Sequence, residues 1–386
     1  MADIVTLNRR SFVGGSLTAS VAASAASQGS NPALREKFYG CIAGCHIGSS
    51  MGAVVEGWPW QRIEKEHGTA ERLLPYEHYR NGWKREPGTT EDGVERQKLM
   101  ITAIIEKQDR VNAEDVRAAW LRHIKPESAG MVSEPFEATL LAMAKSGIPA
   151  RDLGRYCDYA GLNSFARSCH PIGLINAGDI TNAVTDVFEV GQLYQTSNSR
   201  GLQWAAVTAL AIAAATRPDA TVDSVLAAIL AGDPRQTKET GVAKEIERGL
   251  KHTDSCKDFR EMRTAFDEVY SGRGTPYAFS SANEVVTKAV CVFRMTKGNV
   301  RDAIVAAVNM GRDTDCLAAI SAGIAGALTG ASSIPAEWVR QVDYATTLNR
   351  FTNSQRTLGD HADGLYGAFR ARLLRMRAYA DEMEKS

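Results

Sequence analysis

Helical periodicity is the feature that most limits what this chain can fold into. Beyond the first thirty residues, apolar side chains recur three and four positions apart almost everywhere. No stretch alternates apolar and polar residues over five or six positions with β-branched enrichment, as a strand would. Helices are predicted, among other places, at residues 90–107, 113–124, 201–215 and 222–230, with a charged, solvent-facing terminal helix at 360–383. The sequence therefore predicts an all-α fold.

Two predicted helical segments, 201–215 and 316–330, are rich in Ala and Gly rather than Leu. Small residues let helix axes approach closely, so both segments are expected at the centre of a tightly packed bundle. Neither is long enough to span a bilayer, which needs about 20 strongly apolar residues.

The composition is that of a soluble globular protein, with 44% hydrophobic and 23% charged residues among 386. The 45 basic residues balance the 45 acidic ones. This balance gives no electrostatic reason to expect nucleic acid or an anionic membrane as a partner, so a small polar ligand is favoured. No linker-like segment divides the chain, which predicts one domain at residues 31–386 and leaves the oligomeric state open.

The first thirty residues differ from the rest of the chain. Arg9 and Arg10 precede an apolar run of small residues at 13–26, and Ala23-Ser24-Ala25 offers a small-x-small cleavage pattern. This resembles a twin-arginine signal peptide and predicts a periplasmic or secreted protein that is free of the membrane after cleavage. The alternative is a disordered basic tail.

The cysteines are odd in number and lack the paired spacing of a zinc ribbon. We expect buried thiols that act as small hydrophobic groups, not a disulfide framework. The positions are Cys41, Cys45, Cys157, Cys169, Cys256, Cys291 and Cys316.

A first polar cluster, Thr90-Glu91-Asp92, stands at the start of the predicted helix 90–107. A hydroxyl and two carboxylates at this point are able to ligate a cation. The alternative is an N-cap threonine followed by acids that the helix dipole favours.

A second cluster, Asp313-Thr314-Asp315-Cys316, opens the Ala-rich and Gly-rich helix. Because burying an unpaired carboxylate is costly, acids at the mouth of a buried helix need a partner, and a cation would satisfy them. Oxygen donors suit Mg²⁺, with Mn²⁺ or Ca²⁺ as alternatives. Two such clusters are able to hold two ions about 3.5–4 Å apart, an arrangement that activates water. Helix capping is again the alternative.

Four segments of the chain stand out in order: Gly40-x-x-x-Gly44-x-x-x-Gly48-Ser49-Ser50-Met51-Gly52-x-x-x-Glu56, then Thr90-Glu91-Asp92, then Pro171-Ile172-Gly173-Leu174, and finally Gly311-Arg312-Asp313-Thr314-Asp315-Cys316. Together they resemble the signature segments of the ADP-ribosylglycohydrolase family. The resemblance runs from about residue 36 to 345. It implies a compact orthogonal bundle of helices that uses two Mg²⁺ ions to hydrolyse the glycosidic bond of ADP-ribose attached to a side chain.

The resemblance also assigns roles to residues. One metal-ligand set is Thr90, Glu91 and Asp92, and the other is Asp313, Asp315 and Cys316. The candidates for proton transfer are Glu56, Glu91 and Asp92, and Glu56 falls where some members carry a mobile glutamate implicated in catalysis. The equivalent of the stretch 163–170 lines the substrate cleft in the family, which makes Asn163 and Ser164 candidate ligand contacts.

Several positions depart from the family pattern. Ser49 and Glu91 stand where Asp is usual, Gly93 where Thr is usual, and Cys316 where Thr or Ser is usual. Because a thiol is a poor ligand for Mg²⁺, we expect one ion site to be intact and the other weak.

Three further side chains have two interpretations each. Arg312 replaces a usual Gly and either contacts an anionic substrate or pairs with Asp302, with the pairing favoured. His170 is either a core histidine or a residue that transfers protons, and the core interpretation is favoured. Trp58 and Trp60 either stack on a base or sugar or pack against the protein.

The sequence thus predicts a metal-dependent hydrolase of an ADP-ribosyl or related glycoside. Export places the protein where ADP-ribosylated proteins are scarce, and the chain has no glycine-rich phosphate loop. The alternatives are therefore a glycosidase or nucleosidase for another sugar, and an inactive member that binds carbohydrate or has a structural role.

Overall fold

The computed structural model describes residues 33–77, 84–125, 135–156, 161–197, 199–232, 241–270, 280–348, 352 and 354–385. The predicted signal peptide and Cys157 lie outside these residues. Within them, the chain forms seventeen α-helices and one antiparallel pair of two-residue strands. The prediction of an all-α fold is confirmed.

The elements follow one another along the chain with short connections. The strands are β1 (Tyr76–Glu77) and β2 (Lys84–Arg85), with Tyr76 opposite Arg85. The helices are α1 (Leu34–Gly52), α2 (Trp60–His67), α3 (Asp92–Lys107), α4 (Ala113–His123), α5 (Pro135–Lys145), α6 (Ala150–Leu153), α7 (His170–Ile175), α8 (Ile180–Val190), α9 (Arg200–Ala215), α10 (Val222–Ala231), α11 (Val242–His252), α12 (Phe259–Tyr270), α13 (Ala282–Met295), α14 (Val300–Val308), α15 (Thr314–Thr329), α16 (Ala336–Thr347) and α17 (Leu358–Met383).

A ladder of glycines joins α1 to α15 in antiparallel contact. Gly40, Gly44, Gly48 and Gly52 recur at intervals of four, on one face of α1. A Cβ on Gly44 would stand 2.5 Å from the Ala322 carbonyl oxygen, and one on Gly52 would stand 2.4 Å from Cα of Asp315. The two backbones are therefore in direct contact, and the end of α1 lies at the beginning of α15.

The helices α9 and α15 form the centre of the bundle. Every residue of α9 after Arg200 is buried, as is every residue of α15 before Thr329. The helices α7, α8, α10 and α13 pack around α9, and α1, α13 and α14 pack around α15. The prediction that these two Ala-rich segments are central is confirmed.

The terminal helix α17 is only partly as predicted. Its first half packs on α1, where the Phe38 ring lies 5.5 Å from that of Tyr366 and 5.7 Å from that of Phe369. From Leu373 onward the helix is exposed, and Leu374 retains 61% of its accessible surface. The prediction of a solvent-facing helix is wrong for the first half, because Leu358, Leu365 and Phe369 are spaced to face the core.

No helix in the described part of the chain has the length and apolar character needed to cross a membrane. The six described cysteines are free thiols, and all except Cys256 are buried. This agrees with the expectation of structural thiols.

Candidate active site

Four carboxylates converge where α3 and α15 begin. Glu91 and Asp92 come from the start of α3, and Asp313 and Asp315 from the start of α15. We call these four residues the acid cluster. None of them exposes more than 3% of its surface. The positive ends of two helix dipoles favour negative charge here, but buried carboxylates also require closer counter-charges.

The Arg167 side chain lies inside the acid cluster. Its Nη1 is 2.8 Å from Oε2 of Glu91 and 3.3 Å from Oδ2 of Asp315, and its Nη2 is 2.5 Å from Oδ2 of Asp92. Burial alone would lower the pKa of Arg167, but the surrounding acids, Asp92 foremost, outweigh burial and raise it well above its ordinary value. The guanidinium is therefore a permanent positive charge at this position.

Two more cationic side chains contact the first predicted ligand set, Thr90, Glu91 and Asp92. Nη2 of Arg96 lies 2.9 Å from Oδ2 of Asp92, the oxygen that Arg167 also contacts. The Lys98 ammonium donates hydrogen bonds to Thr90 Oγ1 at 2.9 Å and to Glu95 Oε1 at 2.8 Å. The Thr90 hydroxyl in turn donates to Glu95 Oε1 at 2.7 Å. Thr90 thus belongs to a buried polar network with Glu95 and Lys98.

Glu91 is the N-cap of α3, the position that the capping alternative gave to Thr90. Its Oε1 accepts hydrogen bonds from the Ser49 hydroxyl at 2.8 Å and the Val94 amide at 3.3 Å. Its Oε2 accepts from the Gly93 amide and from Arg167, both at 2.8 Å. Both oxygens are saturated by protein donors. A metal ion at this set would therefore have to displace protein donors from Glu91 and the guanidiniums of Arg96 and Arg167 from Asp92.

The second predicted ligand set has a different environment. The ligand atoms of Asp313, Asp315 and Cys316 all lie within 4.8 Å of one another. Oδ2 of Asp313 accepts a hydrogen bond from Asn163 Nδ2 at 2.9 Å, and its Oδ1 is buried with no hydrogen-bond partner in the described part of the chain. Burial and the nearby Glu56 carboxylate raise the pKa of Asp313. A buried acceptor with no donor fits one bound cation.

Cys316 is the soft member of this second set. Its thiol lies 3.5 Å from Oδ2 of Asp315 and is placed to donate a weak hydrogen bond to it. Burial raises the pKa of the Cys316 thiol well above its ordinary value. The two carboxylates are therefore the hard donors of this site.

Glu56 is half-buried in the loop that follows α1. The Gly57 amide donates to the Arg312 carbonyl at 2.7 Å, and the Arg312 amide donates to the Trp58 carbonyl at 2.8 Å. Gly311 and Arg312 adopt positive φ angles of 75° and 67° in this bridge. The strained turn thereby ties the loop that carries Glu56 to the segment that leads into Asp313.

Arg312 pairs with a residue that the sequence analysis did not name. Its Nε and Nη2 donate to the two Glu284 oxygens at 2.7 and 2.9 Å, and the Lys288 ammonium lies 2.6 Å from Glu284 Oε1. The predicted pairing with Asp302 is wrong, since Asp302 lies 3.5 Å from Arg301. A partner on α13, brought close by folding, outcompetes one on the neighbouring α14.

The predicted ligand contacts and the core histidine are all buried. Asn163 donates to Asp313, and the Ser164 hydroxyl accepts a hydrogen bond from Gln195 at 3.2 Å. Their role in substrate binding stays a prediction. His170 lies 3.0 Å from the Ala319 carbonyl oxygen and 3.2 Å from Gln97, and burial lowers its pKa to about 4. The prediction of a satisfied core histidine is confirmed.

Both tryptophans contact the protein itself. The Trp60 indole donates to Asp267 at 2.6 Å, with the Arg263 guanidinium 4.2 Å from its ring centroid. The Arg62 guanidinium lies 3.5 Å from the ring centroid of Trp58. The packing interpretation describes these contacts.

Sequence reasoning missed the cations of the site. Arg167 stands in the stretch 163–170 that was expected to line the cleft, but no role was assigned to it. Arg96 and Lys98 follow Asp92 on the same helix, and Arg85 on β2 is buried at 2% exposure, where burial lowers its pKa. The available signal was charge balance, because acids that meet in one buried place need nearby bases.

The fold and this site can now be compared with known proteins. A sequence profile of the ADP-ribosylglycohydrolase family matches residues 30–372. The chain belongs to this family. It is 24% identical over 344 residues to YegU, an uncharacterised protein of Escherichia coli (strain K12), across 84% of this chain and 99% of YegU.

A solved structure described as an ADP-ribosylglycohydrolase-related protein complex has the same fold. It superposes with a TM-score of 0.60 at 16% identity, covering 87% of this chain and 99% of that one. Membership of this family implies hydrolysis of a glycosidic bond and a small-molecule glycoside as the substrate class.

Proposed function

We propose that the protein hydrolyses the glycosidic bond of an ADP-ribosyl or related glycoside with the help of one hard divalent cation, Mg²⁺ or Mn²⁺, at Asp313 and Asp315. The observation that carries the proposal is the buried Oδ1 of Asp313, which accepts no hydrogen bond in the described residues and lies close to the half-buried Glu56. Family membership supplies the reaction type.

The cation would be held by the carboxylate oxygens of Asp313 and Asp315. When bound, it would polarise sugar hydroxyls and lower the pKa of a water molecule. Asn163 fixes the orientation of Asp313 by donating to its Oδ2 at 2.9 Å. The other oxygen of Asp313 is thereby left for the ion.

Proton transfer is assigned to Glu56. In hydrolysis, the bond from the anomeric carbon to the leaving group breaks and a bond from that carbon to a water oxygen forms. The Glu56 carboxylate accepts the proton that the water loses and returns it to the leaving group, so that Glu56 is a carboxylate again at the end. Glu91 and Asp92 were predicted to share this work, but their bonds to Arg167 suit them to hold the site in shape.

The contacts of Arg312 bear on substrate choice. Arg312 was the side chain that the sequence offered for an anionic group, and two hydrogen bonds to Glu284 now occupy it. Pyrophosphate binding would fall to backbone amides and neutral donors. We therefore expect the preference for an ADP-ribosyl over a neutral glycoside to be smaller than is usual in the family.

The test is an assay of the full chain with Mg²⁺ against ADP-ribosyl-arginine, ADP-ribosyl-serine, nucleosides and neutral aryl glycosides. Glu56→Gln should lower kcat by about 10²- to 10⁴-fold, the usual contribution of a general acid or base. Glu36→Gln, which changes an exposed acid at the start of α1, should leave kcat unchanged.

The outcomes separate the proposal from its rivals. A strong preference for ADP-ribosyl substrates would restore the usual family activity, and cleavage of neutral glycosides alone would identify a glycosidase. No turnover of any substrate, with the ion bound, would overturn the hydrolase proposal in favour of carbohydrate binding.

A further inference from the structure

We propose that Arg167 is a built-in cation that takes the place of one of the two metal ions implied by the family resemblance, so that the protein binds one divalent ion and not two. The inference rests on the proposed function for the ion at Asp313 and Asp315. It adds that the other ion position is permanently filled by protein.

The first argument is the set of contacts that Arg167 makes. Its guanidinium lies 2.8 Å from Glu91, 2.5 Å from Asp92 and 3.3 Å from Asp315, which are three of the four members of the acid cluster. Its side chain is only 7% exposed. A cation bound between the two predicted ligand sets would need these same carboxylates. The guanidinium already pairs closely with Glu91 and Asp92 and, unlike a metal ion, cannot be removed by a chelator.

The second argument comes from the residues that depart from the family pattern. Gly93 leaves room for the arginine, because a Cβ there would stand 2.6 Å from Cδ and from Nε of Arg167. A Thr at this position would collide with the side chain. Cys316 contacts the guanidinium too, with its Sγ 3.3 Å from Nη1.

The other two departures act at the same place. Ser49 donates to Oε1 of Glu91 at 2.8 Å, where an Asp would bring a further negative charge. Glu91 itself reaches Arg167 through Oε2. Four of the five departures, all except Arg312, therefore contact this guanidinium, leave room for it, or contact an acid that binds it.

The third argument is the asymmetry of the acid cluster. In the described part of the chain, Asp313 forms no ion pair, whereas Glu91 and Asp92 pair with Arg167 at 2.8 and 2.5 Å. Arg167 thus supplies a counter-charge to the Glu91 and Asp92 side of the cluster and leaves the Asp313 side for an ion. This asymmetry predicts an ion count of one.

The ion count can be measured directly by titrating the full chain with Mn²⁺ and following free Mn²⁺ by electron paramagnetic resonance. We expect one ion per chain in the wild type and two in Arg167→Met. Arg167→Lys, which keeps the charge, should bind one. The matched control is Arg263→Met, which removes another buried arginine, 3% exposed and paired with Glu64, and should also bind one ion.

The double variant Glu91→Gln with Arg167→Met should lose the extra ion. The ion position that Arg167→Met vacates would then lack one of its carboxylates. Equal ion counts in the wild type and folded Arg167→Met overturn the inference. A wild type that binds no ion, beside an Arg167→Met chain that binds one, removes the ion of the proposed function but supports the role of Arg167.

Arg167→Met leaves buried acids without a counter-charge and is at risk of not folding. In that case the chain is refolded with and without Mn²⁺ and followed by circular dichroism. Folding that depends on Mn²⁺ supports the inference, because the metal then replaces the missing guanidinium. Failure to fold under both conditions overturns it, since the arginine would be needed for more than its charge.

Discussion

The absence of a side chain at Gly93 leaves the space that the Arg167 side chain occupies at the start of α3. A Cβ at position 93 would lie 2.6 Å from both Cδ and Nε of Arg167, well inside van der Waals contact. A flexible arginine could ordinarily move aside. Here Glu91, Asp92 and Asp315 hold the guanidinium in place, so the two positions are physically coupled.

This coupling can be measured with a double-mutant cycle. Gly93→Ala in the wild type should lower the free energy of unfolding by about 1–3 kcal/mol, the usual cost of overpacking a buried site. In the Arg167→Met background the same change should cost much less, giving a coupling energy of about 0.5–3 kcal/mol in urea denaturation. Additive effects of the two substitutions would show that the arginine can move away freely.

The glycine ladder between α1 and α15 yields a second prediction from a matched pair. A Cβ on Gly44 would stand 2.5 Å from the Ala322 carbonyl oxygen and 2.9 Å from Cγ1 of Val300. Gly44→Ala should therefore destabilise the protein by about 1–3 kcal/mol. Gly367 on the exposed face of α17 has no atom within 4 Å of such a Cβ, and Gly367→Ala should stabilise it by about 0.5–1 kcal/mol. If the melting temperatures of Gly44→Ala and Gly367→Ala shifted in the same direction, the close contact between α1 and α15 would be refuted.

The sequence predicted the helices well, because their signal is local. The predicted segments 113–124 and 222–230 correspond to α4 and α10, Ala113–His123 and Val222–Ala231. Apolar periodicity and capping residues lie within a few positions of one another, so a single sequence shows them. The two central helices were equally visible from their Ala and Gly content.

The cations of the site were not predictable in the same way. Long arginine side chains are placed by tertiary structure, and nothing near Arg167 in the sequence shows that it reaches Glu91, 76 positions away. The same reason explains the wrong partner for Arg312, which pairs with Glu284, 28 positions away. The sequence located the carboxylates but not the charges that neutralise them.

Three buried histidines predict loss of stability in mild acid. Burial lowers the pKa of His46 to about 3 and of His170 to about 4, and it lowers that of His361 well below its ordinary value. Each is neutral when folded but gains a proton below about pH 6.5 when unfolded. Their contribution is therefore fully present above pH 6.5 and is lost as the pH falls towards 4, by about 1.4 kcal/mol per pH unit for each histidine.

The contribution of one buried histidine to acid sensitivity can be measured at His361. Its two ring nitrogens have no hydrogen-bond partner in the described residues, and its ring lies 5.7 Å from that of His46. His361→Phe should lose about 1.4 kcal/mol less per pH unit than the wild type between pH 6 and 5, measured by urea denaturation. The control His67→Gln, at a half-buried position on α2, should follow the wild type. Identical acid sensitivity in His361→Phe and the wild type would contradict the assignment.

Export stays a prediction, because residues 1–32 lie outside the described part of the chain. Arg9→Lys together with Arg10→Lys should leave the uncleaved precursor in the cytoplasm of a host that has the twin-arginine pathway. Immunoblots of cell fractions would show this. The control is Arg35→Lys, which alters an exposed arginine at the start of α1 and should not change delivery. Normal periplasmic delivery of the double variant would leave the basic-tail interpretation.

The last prediction contrasts two aspartates that the family resemblance treated alike. Asp92 binds two guanidiniums through Oδ2, Arg167 at 2.5 Å and Arg96 at 2.9 Å. Asp313 forms no ion pair in the described part of the chain. Asp92→Asn should therefore destabilise the protein by about 3–5 kcal/mol, because it breaks a buried charge network, yet leave Mn²⁺ binding in place.

Asp313→Asn should have the opposite effects. It removes a buried carboxylate that forms no ion pair in the described part of the chain and whose pKa burial raises, so urea denaturation without metal should show little loss of stability or a gain. Calorimetry should show that Mn²⁺ binding is gone, because a neutral amide supplies neither the charge nor the donor strength that a hard cation needs. Asp302→Asn, on the exposed face of α14, should match the wild type in both measurements. If Asp92→Asn and Asp313→Asn lost ion binding equally, both ligand sets would hold metal, and the guanidinium would be a neighbour of the ions and not a substitute for one.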